Sequence, residues 1–317
     1  MATPPAVTRT EPMKAKSRPG DRLFSGAALF AGSMILVTLA AVTIFLIIQS
    51  LPALFANNAE ASILPSNFWS YVGPLVFGTV WAAALALLMA VPLSIGVALF
   101  ISHYAPRRLA QALGYIVDLL AAVPSVVFGL WGIGVLAPAI QPVYTWLVDH
   151  AGWFPLFAGP VSSTGRTIFT AAVVLAVMVT PIITAICREI FLQTPTLHEE
   201  AALALGSTRW EMVRMAVFPF ARSGIVSASM LGLGRALGET MAVAMVLSAS
   251  GGITFALLTP DNPNTIAANI ALSFPEAYGL NINVLIATGL VLFVVTFAVN
   301  ALARYIVSRR KEFSGAN

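Results

Sequence analysis

Long apolar stretches separated by short polar segments dominate the pattern of this chain. A helix needs about 20 mainly apolar residues to cross a bilayer, and six of these stretches are long enough. We place the spans at Leu23–Ile48, Val76–Ile101, Gly114–Ile140, Ile168–Ile190, Gly224–Leu247 and Val284–Val307. The pattern therefore predicts an all-α, polytopic membrane protein with six transmembrane helices.

The amino-acid composition leads to the same class. Hydrophobic residues make up 58% of the 317 residues and charged residues only 9%, whereas a soluble domain usually carries about 25% charged residues. Such a composition excludes a disordered chain and nearly all soluble enzymes. Because Cys187 is the single cysteine, no disulfide can form within the chain.

The basic residues predict the orientation of the spans. Of the 17 lysines and arginines, all but Arg166 and Arg235 lie in the amino-terminal segment, after span 2, between spans 4 and 5, or at the carboxyl end. By the positive-inside rule these segments are cytoplasmic, and so are both termini, which agrees with an even number of spans. The net charge of +4 then reflects topology, and we expect no nucleic-acid partner. Residues 1–22 are expected to be a disordered cytoplasmic leader, or to lie on the anionic inner leaflet.

Motifs for enzyme chemistry are missing from the sequence. There is no G-x-x-x-x-G-K-[ST] phosphate loop and no nucleophile motif such as G-x-S-x-G. His103, His150 and His198 lack the spacing of metal ligands. We therefore expect no catalytic residue, no metal site and no cofactor, and we expect any ATP hydrolysis to come from another subunit.

The longest charged cytoplasmic segment, residues 191–222, lies between spans 4 and 5. Thr196 is a candidate helix cap, with Glu199 three residues later, and Gly206 is expected to end this helix. A second short helix should follow and end at Pro219. Two amphipathic helices of this kind either rest on lipid headgroups or present a surface to a partner protein.

Span 5 contains two charged residues, Arg235 and Glu239, and a charge at mid-membrane costs about 2.5–3.5 kcal/mol. Their spacing places both on one helical face, where they can pair. They form either a structural ion pair or the lining of an anion pathway, in which Glu239 neutralises Arg235 when the anion leaves. Asp118, near the cytoplasmic end of span 3, either pairs with a nearby basic residue or lines the pathway. Pro124 is expected to bend span 3.

The segment between spans 4 and 5 resembles the EAA loop of ABC importer permeases, whose pattern is E-A-A-x3-G-x9-I-x-L-P. The residues that match its fixed positions are Glu200, Ala201, Ala202, Gly206 and Pro219. Ala216 and Phe218 replace the family's Ile and Leu and are also apolar. The resemblance implies that this loop is a coupling helix, that the matching residues serve coupling, and that the helix docks on a separate ATPase subunit.

Two segments inside the spans are similar to the same family. The sequence R-A-L-G-E at residues 235–239 is shared with sulfate and molybdate permeases, whereas Thr240-Met241 and the segment 124–132 resemble phosphate-specific permeases of the PstC type. The resemblance runs from span 1 to span 6. It implies the fold of a type I ABC importer permease over residues 23–317, including the coupling loop 191–222. The pathway residues that we expect are Arg235, Glu239, Thr240 and Asp118.

The function implied by this resemblance is that of a permease subunit of an ATP-driven importer, which carries inorganic phosphate across the cytoplasmic (inner) membrane. The implied partners are ATPase subunits, a second homologous permease of the PstA type, an extracytoplasmic phosphate-binding protein and membrane lipid. A sulfate or molybdate permease is the alternative within this class. An ion-coupled transporter or channel, with Glu239 or Asp118 carrying protons, is an alternative from another class, as is a purely structural or sensory subunit.

Overall fold

The computed structural model of this chain describes residues 19–57 and 59–310. Residues 1–18 of the predicted leader lie outside the described residues. Its last part, residues 19–22, belongs to the first helix. The α-helices of the described part are α1 (Pro19–Leu54), α2 (Phe68–Leu99), α3 (Arg107–Ala121), α4 (Ser125–Trp131), α5 (Ala137–Ala151), α6 (Ile168–Leu192), α7 (Thr196–Ala204), α8 (Arg209–Met212), α9 (Phe218–Leu237), α10 (Met241–Val246), α11 (Ile266–Ser273) and α12 (Leu280–Arg310).

Wider, π-helical turns extend or join several of these helices. They lie at Phe100–Tyr104 after α2, at Gly132–Leu136 between α4 and α5, and at Val213–Val217 between α8 and α9. Within the described ranges, six helical stretches are long and apolar enough to cross a membrane, which confirms the predicted number. They are Leu23–Leu54, Phe68–Tyr104, Ser125–Ala151, Ile168–Leu192, Arg209–Leu237 and Leu280–Tyr305.

The chain divides into two compact units after Ile48. The first unit, in its described part, is the larger portion of α1, and its apolar side chains such as Leu29 and Phe30 are exposed. An apolar helix with exposed side chains suits contact with lipid. The second unit begins at Gln49 and contains the helices from α2 to α12.

The core of the second unit is built where α2 packs along α6. Small residues on one face of α2, such as Ala82, Ala86 and Ala90, are fully or almost fully buried, and small side chains let two membrane helices approach closely. Ser94 in α2 donates a hydrogen bond to the backbone oxygen of Thr180 in α6 at 3.1 Å. The α6 span is the most buried of the six, so it forms the centre of this unit.

Glycines play the corresponding role where α9 packs on α6. A Cβ atom added to Gly232 would lie 2.6 Å from Ile183 Cδ1, and one added to Gly224 would lie 2.5 Å from Ile190 Cδ1. Those distances are too short for real carbon contacts, so a larger residue would require the isoleucine side chains or the two helices to shift. The glycines of span 5 therefore serve helix packing on span 4.

Span 3 begins later than predicted. A three-residue break that ends at Pro124 separates α3 from the spanning helix Ser125–Ala151. Proline has no N–H to donate, and it disfavours the helical conformation of the residue before it, here Val123. The predicted span Gly114–Ile140 is therefore wrong at both ends, and Pro124 precedes the span instead of bending it.

Span 5 begins earlier than predicted, at Arg209 rather than at Gly224. The chain is helical without interruption from Arg209 to Leu237, and Pro219 lies inside this stretch instead of ending a helix. The π-helical turn Val213–Val217 comes directly before α9 and widens the backbone where the proline lacks an N–H donor. The predicted second short helix is thus the first part of span 5.

Candidate functional site

Span 5 ends within the segment that carries its two charged residues. The helix α9 stops at Leu237, α10 starts at Met241, and Glu239 lies in the break between them. The predicted helical pair of Arg235 and Glu239 is wrong, because the helix ends between the two positions. In the part of the chain that the structure describes, no ion pair joins them.

Glu239 is buried, with 8% of its surface exposed. Its Oε1 atom accepts a hydrogen bond from the backbone N–H of Ala242 at 3.1 Å. A carboxylate at this place satisfies a free N–H in the first turn of α10 and faces the positive end of the helix dipole. The hydroxyl of the neighbouring residue Thr240 donates a hydrogen bond to the backbone oxygen of Gly238 at 3.2 Å. Local bonds therefore define the backbone of the break.

Arg235 differs from Glu239 in having no bonded partner among the described residues. Its side chain belongs to the last turn of α9, it is exposed, and it forms no hydrogen bond or ion pair with any described residue. A guanidinium in a membrane span needs a water-filled cavity, a partner subunit or an anion to offset its desolvation. Because no group of the described chain compensates it, Arg235 is available to an external anion or protein.

The short helix α10 packs tightly on span 3. A Cβ on Gly129 would lie 3.1 Å from Ala242 Cα, and one on Gly132 would lie 2.7 Å from Val246 Cγ2. These two glycines let the backbone of α10 approach that of span 3, which is the ordinary packing role of small residues in membrane helices. The break in span 5 and the beginning of span 3 therefore form one packed site.

Arg166 holds the other end of α10. Its Nη2 atom donates to the backbone oxygens of Met245 at 3.0 Å and Leu247 at 3.5 Å. Free carbonyl groups at the end of a helix favour a cation. The sequence analysis noted Arg166 only as an exception to the charge pattern. Its position as the lone basic residue between spans 3 and 4 is the signal that marks it.

Asn262 organises the loop that follows α10, and the sequence analysis missed it. Its side-chain nitrogen donates to the backbone oxygens of Ser248 and Thr259, both at 3.0 Å, and its oxygen accepts from the N–H of Ile168 at 2.9 Å. The residue is fully buried. No local pattern identifies such a residue, because its partners are spread over a long stretch of sequence.

Asp118 lies on α3, before span 3, and not inside a span. Its Oδ2 atom is 3.7 Å from Nη2 of Arg188 in α6, and the same guanidinium is 2.9 Å from the carboxylate of Glu189. The guanidinium also lies against Gly114, where a Cβ atom would collide with it. The expected pairing of Asp118 with a nearby basic residue is therefore present.

The residues of the EAA-like segment form α7 and the turn after it. Glu200 and Ala201 are exposed, whereas Ala202 is 9% exposed and faces the protein. Gly206 has a φ of +82°, a conformation that suits glycine because it has no side chain. The predicted end of the helix at Gly206 is confirmed, since α7 stops at Ala204 and the chain turns there.

The helix caps differ from those predicted. Thr196 is the first residue of α7 and Pro195 is its N-cap, so Thr196 with Glu199 does not form a capping box. A capping box is present instead at Thr208 and Glu211, at the start of α8. Pro195 has a fixed φ that suits the position before the first helical turn, so it takes the N-cap position in place of Thr196. The helix therefore begins one residue earlier than predicted.

Several large apolar side chains around α7 and α8 are exposed. They are Leu197, Leu203, Leu205 and Trp210, with exposed fractions of 73%, 43%, 88% and 54%. These residues and the exposed Glu200 belong to α7, α8 and the turn between them, and we call this group of exposed residues the α7 surface. Exposed large apolar side chains around α7 and at the start of span 5 are consistent with a docking surface.

The second unit thus combines membrane-spanning helices, a broken span with an arginine that no described residue pairs, and an exposed helix between spans 4 and 5. Together with α1 these features define a multi-pass helical membrane protein of the transporter class. The comparisons with known proteins give the family. A family model described as "Binding-protein-dependent transport system inner membrane component" matches residues 90–312. The chain belongs to this family.

Similar proteins and structures agree with that assignment. "Phosphate transport system permease protein PstC 2" of Mycobacterium tuberculosis is 48% identical, over 96% of both chains. "Phosphate transport system permease protein PstC" of Mycobacterium leprae is 46% identical, over 92% of this chain and 94% of the relative. The crystal structure of a bacterial ABC transporter involved in the import of the acidic polysaccharide alginate matches 91% of this chain and 99% of its own, with a TM-score of 0.57 and 18% identity. This last likeness supports the fold alone.

Proposed function

We propose that this chain is a permease subunit of an ATP-driven importer that carries inorganic phosphate across the cytoplasmic membrane. The observation that carries the proposal is the identity of 48% and 46%, over more than nine tenths of the chain, to relatives named phosphate transport system permeases. The Thr240-Met241 sequence and the segment 124–132 support phosphate over sulfate or molybdate as the transported anion.

Arg235 is the proposed anion-contacting residue of the pathway. Phosphate is a multivalent oxyanion, and a guanidinium binds such a group through two parallel N–H donors. The side chain is exposed at the end of α9 and forms no bond with the described residues, so its donors are free. A cation that the chain itself leaves unpaired inside a span suits a transient anion site.

Glu239 and Thr240 complete the proposed pathway at the break. The carboxylate of Glu239 is fixed by the N–H of Ala242 and adds a negative charge four residues from Arg235. That charge weakens anion binding, as conduction requires, because an anion held too strongly would not leave. Asp118 is bound to Arg188, and it would take part in the pathway only in a state in which that ion pair opens.

The α7 surface is the proposed contact for an ATPase subunit. Exposed leucines and a tryptophan next to Glu200 fit a groove on a partner protein better than they fit water. The turn at Gly206 joins α7 to the start of span 5. Because α8 continues into α9 as one helix, a displacement of the α7 surface would be transmitted to the break that holds Arg235.

The remaining partners follow from this assignment. ATP is hydrolysed by the ATPase subunits and not by this chain, a second homologous permease of the PstA type completes the pathway, and an extracytoplasmic protein delivers phosphate. The basic residues next to the spans support a cytoplasmic location of both termini.

Uptake of labelled phosphate by phosphate-starved cells that lack this chain tests the proposal. Restoring the chain should restore uptake that persists in excess sulfate. Recovery of sulfate or molybdate uptake instead would contradict the assignment of the substrate, while leaving the permease assignment in place.

A further inference from the structure

A polar bond connects α7 with the end of span 2. The Nε2 atom of His103 lies 3.3 Å from Oε1 of Glu199. His103 belongs to the π-helical turn that ends span 2, and Glu199 belongs to the first turn of α7. Only 9% of the His103 side chain and 21% of the Glu199 side chain are exposed. A charge-assisted hydrogen bond that is shielded from water in this way is stronger than one at the surface.

The partners of His103 determine which ring nitrogen donates. A carboxylate only accepts, so Nε2 must carry the proton that is shared with Glu199. Nδ1 lies 2.7 Å from the hydroxyl oxygen of Ser102, which can either accept from it or donate to it. The bond to Glu199 is therefore available to the neutral and to the protonated imidazole.

An aromatic contact also positions the imidazole ring of His103. The imidazole of His103 meets the ring of Phe191 edge to face, with centroids 6.5 Å apart. Phe191 is fully buried near the end of span 4, and its ring lies 6.1 Å from that of Phe218 at the start of α9. The side chain that bonds α7 is thus packed against span 4, through a phenylalanine that in turn contacts the start of α9.

The space next to this bond is only partly filled. An open cleft of about 260 Å³ lies between the end of span 2, α7 and the start of span 5, and its lining includes Ser102, Leu203 and Arg209. His103 and Glu199 both line this cleft, so their hydrogen bond is a specific attachment of α7 to span 2 at a place where side chains leave open space.

We propose that His103 is a positioning residue that ties α7 to span 2, so that span 2 follows α7 during the transport cycle. This inference rests on the proposed role of α7 as the helix that contacts the ATPase. The backbone joins α7 to spans 4 and 5, whereas span 2 meets it through noncovalent contacts. Since span 2 already packs along span 4 and bonds to it through Ser94 and Thr180, the tie connects α7 to this packed pair of spans.

The test is the ratio of phosphate transported to ATP hydrolysed, measured with the complete transporter in proteoliposomes. His103→Ala and Glu199→Ala should each lower this ratio about tenfold or more, as expected for the loss of one charge-assisted hydrogen bond. Glu199→Gln keeps an oxygen that accepts from Nε2–H and should rescue most of the ratio. A purely electrostatic effect of Glu199 on the helix dipole would instead be lost in Glu199→Gln.

The double variant His103→Ala/Glu199→Ala supplies the decisive comparison. Its ratio should equal that of either single variant, because the effects of substituting two residues that act through one bond are not additive. His150→Ala, which removes an exposed imidazole at the end of α5, is the control and should not change the ratio. Unchanged ratios in the single variants, or effects that multiply in the double variant, would overturn the proposal.

Failed assembly of a variant and failed phosphate uptake by the unaltered complex each require a separate criterion. If His103→Ala does not assemble, the comparison of Glu199→Ala with Glu199→Gln decides, and equal ratios in those two variants would overturn the proposal. If the unaltered complex takes up no phosphate, the proposed substrate fails. The tie is then judged by the rate of ATP hydrolysis of the complete transporter, which should change in Glu199→Ala and be retained in Glu199→Gln, and equal rates in both would overturn it.

Discussion

Glu239 and Arg166 hold opposite ends of the same short helix. Glu239 accepts a hydrogen bond from the N–H of Ala242 at 3.1 Å, and Arg166 donates to the backbone oxygen of Met245 at 3.0 Å. The carboxylate thus faces the positive end of the dipole of α10, and the guanidinium faces the negative end. A helix of six residues is too short to be stable alone, so these two side chains contribute to its position.

Replacing Arg166 with methionine should destabilise the protein. The variant loses two charge-assisted bonds to carbonyl groups, which together cost about 1.5–3 kcal/mol. Thermal unfolding of the purified transporter measures the effect. Arg108→Met, at an exposed position in the first turn of α3, is the control. Equal melting temperatures for the two variants would show that Arg166 does not stabilise α10.

Replacing Glu239 with glutamine should separate the charge from the hydrogen bond. The amide oxygen can still accept from Ala242, so we expect stability to change by less than about 1 kcal/mol. The loss of negative charge near Arg235 should strengthen anion binding and slow release, lowering both the KM and the maximal rate of phosphate uptake. Kinetics of uptake that match the unaltered protein would contradict the pathway role of Glu239.

Replacing Arg235 with alanine should abolish most phosphate uptake while the chain still inserts and assembles. Losing a bidentate contact to an oxyanion should reduce uptake by about tenfold or more, and Arg235→Lys should recover part of it because it keeps the charge. Arg222→Ala, an exposed arginine on the same helix, is the matched control. Normal uptake by Arg235→Ala would remove Arg235 from the pathway.

Gly132 and Gly134 form a matched pair in one π-helical turn. A Cβ atom on Gly132 would collide with Val246, whereas one on Gly134 would meet nothing within 4 Å. We expect Gly132→Ala to destabilise the protein by about 1–3 kcal/mol through overpacking. Gly134→Ala should be neutral or stabilising by about 0.5–1 kcal/mol. Denaturation of both variants checks this, and similar stabilities would contradict the close packing of α10 on span 3.

Gly206 tests the connection between α7 and span 5. Proline cannot adopt the φ of +82° found there. Gly206→Pro should therefore uncouple ATP hydrolysis from phosphate uptake while membrane insertion survives. Gly206→Asn should be better tolerated, because asparagine visits left-handed conformations. ATP-driven uptake at the normal rate by the proline variant would show that this turn does not serve coupling.

The number of spans could be predicted from the sequence, because the energy of burying apolar residues in lipid depends mainly on local composition. The ends of spans 3 and 5 could not. Apolar residues are frequent on both sides of the breaks next to Pro124 and Glu239, so average composition does not mark where the helix stops. The Pro124 break follows from proline stereochemistry, which the sequence already contained.

The contacts of the charged residues were only partly predictable. A basic partner for Asp118 was an expected alternative, and the structure identifies it as Arg188. The i, i+4 pairing of Arg235 and Glu239 assumed an unbroken helix, so it failed together with that assumption. Contacts such as those of Asn262 join distant segments, and a single sequence contains no local signal for them.

The central claim is that ATP drives phosphate through this chain and its partners. Its most direct test is uptake of labelled phosphate into proteoliposomes that contain the complete transporter. ATP is supplied on the side of the membrane that carries the ATPase subunits, and the binding protein on the opposite side. We predict uptake that requires ATP, ignores excess sulfate and falls at least about tenfold in Arg235→Ala. Phosphate uptake that proceeds without ATP and collapses with the proton gradient would contradict the claim.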